Sequence, residues 1–378
     1  LPRFTPIYFN SLRSMFKNFW DNLRKLDWPL SLAVLVLFCF GLAAIYSVSL
    51  SQQGDDFSNF NKQIAFGVIG LFVFLFFSMS NYSSLRVYSR VLYVAATVLL
   101  VGVLFFGSII RGTKGWFNVG PINFQPVEFA KIVLVVVLAK FFSNRLQRFS
   151  AGKHVIMSLL ITLSFVALVL FQPDLGSAFV LMSTWFILLV ITGIPKKYLI
   201  TLFIIFIIIL LASWSFVLKD YQKERIAVFM NPSLDPLGSG YNVTQSIIGI
   251  GSGQFYGRGL GFGSQSQLKF IPESQTDFIF AVIAEELGFI GVSIILGLWA
   301  IIFYRLIVIA KKARDDFGMF LVLGVICVLF VHIFINIGMN MGIMPVTGIS
   351  LPLLSYGGSF LLVTLVLLGM AQSVSVRR

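Results

Sequence analysis

Ile271-Pro-Glu-Ser-Gln-Thr-Asp-Phe278 is a polar, acidic segment that leads directly into the apolar stretch 278–309. It closes the long polar stretch 219–276, in a chain that otherwise consists mostly of apolar runs. A long loop with turn-forming residues throughout is typical of functional segments. Asp277 stands at the junction of this loop with the apolar stretch. Two interpretations are open for its carboxylate: a cap of the following helix, or a reactive group.

The composition indicates a membrane protein, because 58% of the residues are apolar and only 11% are charged. Soluble domains contain roughly a quarter charged residues. We therefore expect an all-α polytopic membrane protein with about ten transmembrane helices and a large extracytoplasmic loop between spans seven and eight. The expected spans are 30–48, 64–79, 91–110, 127–142, 155–171, 177–191, 198–218, 278–309, 317–337 and 360–374.

The distribution of basic residues predicts the orientation. With the N-terminus inside, nineteen of the 28 lysines and arginines fall in inner segments and eight in outer segments, which leaves Lys131 within a span. Both termini are then cytoplasmic, with 1–29 an amphipathic segment on the inner leaflet and 30–378 the transmembrane domain, including the outer loop 219–276. The net charge of +13 then reflects this bias and binding to anionic lipid, and nucleic-acid binding is not expected.

The few cysteines and histidines indicate neither a disulfide framework nor a metal site. Cys39 and Cys327 both lie within expected spans. His154 and His332 are far apart in the sequence, and we expect each to be a buried or interfacial histidine.

Lys131 stands about one turn into the fourth span, where a lysine costs roughly 2.5–3.5 kcal/mol on insertion scales. Glu128 lies three residues earlier on the same helix face, and Gln125-Pro126 precedes it, with proline suited to the first helical position. One interpretation is that Glu128 interacts with the helix dipole while Lys131 snorkels. The other is a functional charged cluster open to the outer leaflet.

Four further stretches carry polar signals. Arg111, Lys114 and Trp116 stand just outside the third span, where they form either an interfacial anchor or a site for an anionic headgroup. Asp174 is expected to cap the sixth span. The glycine-rich stretch 238–263, which contains Arg258, is either a flexible loop or a set of backbone N–H groups for phosphate. The stretch 336–360, rich in Gly and Pro, predicts a re-entrant element that walls a site.

Four motifs in this order resemble the SEDS proteins (shape, elongation, division and sporulation), the RodA and FtsW group. They are Asn123-Phe-Gln-Pro-Val-Glu-Phe-Ala-Lys131, Gln172-Pro-Asp-Leu-Gly-Ser177, the segment 271–280 with Glu285-Glu-Leu-Gly288, and Met344-Pro-Val-Thr-Gly348 with Leu351-Pro-Leu-Leu-Ser-Tyr-Gly-Gly358. Leu26-Asp-Trp-Pro29 is more similar to RodA than to FtsW. The chain departs from the family pattern at Val127, where serine is usual, and at Gly115, where arginine is usual.

The resemblance implies a peptidoglycan glycosyltransferase of the bacterial cell membrane that polymerises lipid II and releases undecaprenyl pyrophosphate, with a class B penicillin-binding protein as its partner. Asp277 would be the general base. A divalent cation, Mg²⁺ or Mn²⁺, is a further expectation. Other classes stay open, namely a lipid II flippase and a scaffold without activity. The candidate substrate-binding residues are Lys131, Glu128, Trp116, Lys114, Arg111, Arg258 and Gln125.

Overall fold

Each of the ten expected spans coincides with a helix in the computed structural model. The structure describes residues 20–50, 57–110, 112–120, 122–145, 151–216, 223, 227–231, 235 and 238–378. The ten helices are α1 (Trp28–Leu50), α2 (Ser58–Met79), α3 (Tyr82–Phe106), α4 (Pro126–Arg145), α5 (Ala151–Phe171), α6 (Leu175–Ile191), α7 (Lys196–Phe216), α10 (Ile279–Lys311), α11 (Asp316–Asn340) and α12 (Gly358–Val376). Two shorter helices, α8 (Ser239–Ser252) and α9 (Ser264–Gln267), lie between α7 and α10.

Within the described residues, seven helices are long and apolar enough to cross a membrane: α1, α2, α3, α5, α10, α11 and α12. The prediction of a helical polytopic membrane protein is therefore confirmed. The number of spans and the position of the large loop stay predictions. The amphipathic segment 1–29 lies mostly outside the described residues, which begin here at Trp20.

The centre of the bundle is formed by α4, α11 and α12. About three quarters of the residues in the apolar windows of α11 and α12 are buried, 72% and 78%, against 22% for α2 and α3. Along α4 almost every side chain from Val127 to Phe142 is buried or nearly so. Polar groups carried by these three helices are therefore surrounded by protein, whereas α2 and α3 present apolar side chains outward.

A polar network closes the end of the bundle where α1 begins and α10 ends. The buried carboxylate of Asp27 accepts two hydrogen bonds from Arg305 Nε, at 2.9 and 3.1 Å, and one from Nη2 at 2.6 Å. The Gln372 amide on α12 donates to the Asp27 carbonyl at 2.9 Å and accepts from its N–H at 3.0 Å. This network ties α1, α10 and α12 together.

A small antiparallel sheet, which the sequence reasoning missed, joins α3 to α4. Its strands β1 (Ser108–Ile110), β2 (Thr113–Val119) and β3 (Ile122–Phe124) are hydrogen-bonded in that order. Gly112 and Gly120, at the two turns, have φ of +81° and +61°, which glycine adopts without strain. These two turn glycines, on either side of a seven-residue stretch, are the sequence signal for the sheet.

The glycine-rich stretch 238–263 is largely helical, so neither sequence interpretation describes it. Residues 239–252 form α8, and the loop that follows inserts at a break in α10. Gly288, with φ +64° and ψ −164°, interrupts α10. Arg258 N–H donates to the Glu285 carbonyl at 3.0 Å, and Phe289 N–H donates to the Gln254 carbonyl at 2.9 Å. The inserted loop thus satisfies backbone groups that the break would otherwise leave without partners.

The break divides α10 into two parts with different surroundings. Residues 279–286 are all buried beneath the loop helices. Beyond Gly288 the helix exposes apolar side chains, such as Phe289 at 60% and Ile294 at 47%. This second part, 289–311, is about 34 Å long at the helical rise and matches the hydrocarbon thickness.

The stretch expected to be re-entrant is irregular from Met341 to Gly357, between α11 and α12. Its second half is nonetheless buried, with Leu351 and Leu353 at 1% exposure and Leu354 at 0%. In its first half, Met341 and Ile343 are 47% and 62% exposed. α11 continues through Asn340, so the irregular segment begins later than the predicted 336. Irregular backbone of this kind needs partners within the protein.

Gly288→Ala is expected to destabilise the protein. A Cβ on Gly288 would lie 2.2 Å from Gly257 N, and alanine is strained at this positive φ. We expect a loss of about 1–3 kcal/mol in the free energy of unfolding, measured as a lower Tm in detergent. Gly297→Ala is the matched control on the same helix, where nothing lies within 4 Å of the added Cβ, and its Tm should not fall. Equal Tm values for the two variants would contradict the inserted-loop description.

Candidate functional site

Lys131 is buried and ion-paired inside the protein. Its side chain is 2% exposed, and Nζ lies 2.6 Å from Glu128 Oε1. Nζ also lies 5.8 Å from the centre of the Phe360 ring. The snorkelling interpretation is therefore wrong and a charged cluster is present, but Lys131 and Glu128 are enclosed here and not open to a leaflet. The second carboxylate oxygen, Glu128 Oε2, is buried and has no hydrogen-bond partner among the described residues.

His332 on α11 is the third member of this cluster, and sequence reasoning did not connect it to Lys131. Its Nε2 lies 3.1 Å from Lys131 Nζ, and its Nδ1 lies 3.4 Å from the Ser350 carbonyl oxygen. The expectation of a buried histidine is confirmed, since 2% of His332 is exposed. The signal for a shared site was the spacing of His332, Asn336 and Asn340, which places three polar residues on one face of an apolar helix.

Asp277 is not the cap residue of the helix that follows. The N-cap of α10 is Phe278, which makes no side-chain cap bond. Asn340 on α11 acts in its place, because its Oδ1 accepts from Ala281 N–H at 3.2 Å. Phe278 thus occupies the N-cap position that the capping interpretation gave to Asp277. Asp277 is 9% exposed, and its Oδ2 lies 3.7 Å from where a Cβ on Gly348 would be.

The acidic segment 271–278 is held by the irregular segment 341–357. Tyr356 N–H donates to the Gln275 carbonyl at 2.8 Å, and the Ser355 hydroxyl donates to the Thr276 carbonyl at 2.6 Å. The Asn59 amide on α2 donates to Gln275 Oε1 at 2.7 Å. The two motifs, which are distant in sequence, thus form one wall beside Asp277.

Gln125 connects the beginning of α4 to the beginning of α6. Its Nε2 donates to Asp174 Oδ2 at 3.3 Å. Asp174 is the N-cap of α6, as predicted, and accepts from Ser177 N–H at 2.9 Å. Gln125 is thereby fixed six residues before Lys131, at the same end of the bundle.

Lys114 and Trp116 face away from this polar end. Both lie on β2, where alternate residues point to opposite faces. Gly115 points toward the bundle, since its Cβ would lie 3.4 Å from Gln172 Oε1. The departure from the family's arginine at this position has a local consequence: Gln172 Oε1 is buried without a hydrogen-bond partner among the described residues. Arg111 lies outside the described residues.

Arg258 is exposed, and its backbone N–H, not its side chain, holds the inserted loop against α10. Its N–H donates to the carbonyl of Glu285, eight residues beyond Asp277, which is about 12 Å along a helix. The amides nearby are occupied by protein acceptors: Gly259 N–H donates to the Glu286 carbonyl, and Gly261 N–H donates to Glu286 Oε1 at 3.2 Å. The phosphate-binding interpretation of these glycines is therefore wrong in this structure.

The structure thus gathers Lys131, Glu128 and Gln125 at the beginning of α4, beside the end of α11 that approaches Asp277. It does not bring Lys114, Trp116 or Arg258 to Lys131. In the described part of the chain, no three His, Cys, Asp or Glu side chains are grouped so that they could hold a metal ion.

These features define a class of protein: a polytopic helical membrane protein with a polar site at one end of its bundle, walled by an irregular buried segment. Residues 28–378 match the model of the family described as Cell cycle protein, which takes in FtsW, RodA and SpoVE. The chain belongs to this family, and the predicted resemblance is confirmed.

Named relatives and solved structures cover nearly the whole chain. Peptidoglycan glycosyltransferase MrdB of Escherichia coli is 37% identical, over 96% of this chain and 96% of the relative. Stage V sporulation protein E of Bacillus subtilis is 36% identical, over 92% and 96%. A chain of a peptidoglycan synthase complex that coordinates polymerization and crosslinking is 32% identical with a TM-score of 0.77, over 93% and 97%. The rod shape determining protein RodA of Thermus thermophilus is 29% identical with a TM-score of 0.69, over 93% and 96%.

Lys131→Met is expected to lower the stability of the protein because it leaves Glu128 charged, buried and without its counter-ion. Loss of one member of a buried pair typically costs about 3–5 kcal/mol. The double variant Glu128→Gln/Lys131→Met removes both charges and should recover most of the lost Tm. Thermal unfolding of the two proteins in the same detergent measures this. An unchanged Tm for Lys131→Met would show that the pair is not buried in solution.

Proposed function

We propose that this protein is a peptidoglycan glycosyltransferase that polymerises lipid II into glycan strands on the outer side of the membrane, for cell elongation and shape. The observation that supports this most is the placement of Lys131 and Asp277 against the same helix, α11, at the same end of the bundle. The similarity to relatives named peptidoglycan glycosyltransferase extends over nearly the full chain and supports it independently.

The proposed reaction assigns a role to each of the two groups. A GlcNAc hydroxyl of one substrate attacks the anomeric carbon at the pyrophosphate end of the growing strand. Asp277 takes the hydroxyl proton, the new glycosidic bond forms, and the bond to the pyrophosphate breaks. In this proposal, substrate binding exposes the Lys131 ammonium, which is buried in this structure. Lys131 then stabilises the negative charge on the departing undecaprenyl pyrophosphate, because a fixed cation in a dry site interacts strongly with developing charge. Glu128 and Gln125 hold in place the end of α4 that carries Lys131.

No step is assigned to a metal ion. The described side chains include no group of three His, Cys, Asp or Glu ligands. Dependence on Mg²⁺ or Mn²⁺ stays a prediction that chelation with EDTA tests in the polymerisation assay.

An assay with detergent-solubilised lipid II separates the proposed activity from the alternatives. Lipid II in detergent needs no transport across a bilayer, so only a polymerase converts it to glycan. A flippase or a scaffold makes no glycan there. The assay uses the protein together with its proposed partner, a class B penicillin-binding transpeptidase, which we expect to raise the rate. Complete absence of glycan from the complex would contradict the proposal.

Asp277→Asn is expected to lower the polymerisation rate by about 10²–10⁴, the usual cost of losing a general base. Asp277→Glu should keep more activity than Asp277→Asn because it keeps a base at a shifted position. The Tm of each variant is measured alongside the rate, so that a loss of folding is recognised. If Asp277→Asn folds normally and polymerises within about threefold of the unmodified protein, the base is another carboxylate, and Glu273 or Glu128 is the next candidate.

The proposed orientation puts both termini in the cytoplasm and the large loop outside. It rests on the excess of lysine and arginine in the segments expected to be inner. This orientation places Asp277 and Lys131 at the outer end, where flipped lipid II and the transpeptidase would meet them.

Cysteine labelling tests this orientation. In a background with Cys39 and Cys327 replaced by alanine, Leu268→Cys should react with an impermeant maleimide in intact cells, because Leu268 is 65% exposed in the loop. Lys312→Cys, between α10 and α11, should react only after permeabilisation. The reverse pattern would overturn the orientation.

A further inference from the structure

One face of α11 carries three buried polar residues, His332, Asn336 and Asn340, at intervals of four; we call this set the α11 ladder. The three side chains are 2%, 0% and 0% exposed. A polar side chain buried in the centre of an apolar bundle is costly unless its donors and acceptors are satisfied. Where these hydrogen bonds go therefore indicates what the ladder holds.

Two rungs of the ladder hold the backbone of Asp277. Asn336 Nδ2 donates to the Asp277 carbonyl oxygen at 2.9 Å and to the Ile349 carbonyl at 2.7 Å. Asn340 Nδ2 donates to the same Asp277 oxygen at 3.0 Å. Two side-chain amides thus converge on one carbonyl, which fills both of its lone pairs.

An amide oxygen of the ladder, Asn340 Oδ1, orients the helix that follows Asp277. Asn340 Oδ1 accepts from Ala281 N–H at 3.2 Å and from the Ser246 hydroxyl at 3.3 Å. The beginning of α10 and the loop helix α8 are therefore both hydrogen-bonded to α11. Asp277 lies between these attachments and cannot shift along α11 without breaking several buried hydrogen bonds.

The third member of the ladder, His332, contacts the other proposed reacting group, Lys131. His332, one turn before Asn336, lies 3.1 Å from Lys131 Nζ. One face of α11, which is rigid along its length, thus sets the separation between the Lys131 ammonium and the Asp277 carboxylate. Asn336 also holds the irregular segment through Ile349, so the wall beside Asp277 moves with the ladder.

We propose that Asn336 and Asn340 are positioning residues that act through Asp277, a role that rests on the proposed function of Asp277 as general base. They do not touch substrate. They fix the main chain from which the carboxylate extends, and misplacement of a reacting group by about 1 Å can cost on the order of 10² in rate.

Asn336→Leu tests the proposal because leucine has a similar volume and donates no hydrogen bond. We expect kcat for lipid II polymerisation to fall by about 10–100-fold while KM changes by less than about threefold, since the interaction acts on the transition state. Gln372→Met is the matched control: it removes a buried amide from α12 at the opposite end of the bundle, and its kcat should stay within about threefold of the unmodified protein.

The background of Asp277→Asn separates positioning from a general structural role. Once the base is absent, adding Asn336→Leu should lower the residual rate by less than about twofold, because effects of residues that act as a unit are not additive. The same fold-loss in both backgrounds would overturn the proposal. So would full activity of Asn336→Leu when Asp277→Asn is inactive. An active Asp277→Asn would instead contradict the proposed base.

Asn336→Ser provides a second route if Asn336→Leu does not fold. Serine keeps one donor, so its kcat should lie between those of the unmodified protein and a variant with no donor, and its effect should again vanish in the Asp277→Asn background. A rate for Asn336→Ser equal to that of the unmodified protein would overturn the proposal.

Discussion

The contact between the Lys131 ammonium and the Glu128 carboxylate, enclosed in a membrane-embedded bundle, is the constraint on which the rest of the site depends. Two charges are removed from water there. The free-energy cost of desolvating a buried pair can exceed the Coulombic energy that its members gain from their attraction. Apolar residues at both positions would pack in the bundle without that cost. The pair therefore needs additional partners that hold it in place. In a chain with so few charges, the presence of this pair in the core is better explained by a role in the proposed reaction than by a contribution to stability.

The partners come from α11 and from the irregular segment that follows it. His332 contacts Lys131, and the same helix face holds Asp277 through its main chain. Irregular backbone survives at this depth because buried side chains satisfy it, as Asn336 does for Ile349. Rigid attachment is what a glycosyl transfer requires, since the proposed base, Asp277, and the proposed cation, Lys131, would have to stand on either side of one reacting carbon. The opposite end of the bundle has a different polar network, in which Asp27, Arg305 and Gln372 join α1, α10 and α12.

The sequence predicted the membrane class and all ten long helices, because hydrophobic length is a local property that the bilayer imposes on each segment separately. It also predicted the Asp174 cap and offered a charged cluster of Glu128 and Lys131 as one of two alternatives, since both interactions are made within about one helical turn. It did not predict that His332 contacts Lys131 or that Asn340 takes the place of a cap for α10. Those contacts join residues that are roughly 60–200 positions apart, and only the packing of α11 against α4 and α10 creates them. The glycine-rich stretch was misread for a related reason: α8 is stabilised as a helix by packing against α10 and α11, not by its own helix propensity.

The lipid II polymerisation rate of Glu128→Gln/Lys131→Met decides whether the buried pair serves chemistry or folding. This protein lacks the cation and also lacks the uncompensated carboxylate, so a loss of rate cannot be attributed to a stranded charge. If the pair serves chemistry, this double variant unfolds close to the temperature of the unmodified protein and polymerises at least about 10²-fold more slowly, the usual cost of removing one fixed electrostatic contact to a transition state. A stable double variant that polymerises within about threefold of the unmodified rate would show that the pair is not needed for the reaction.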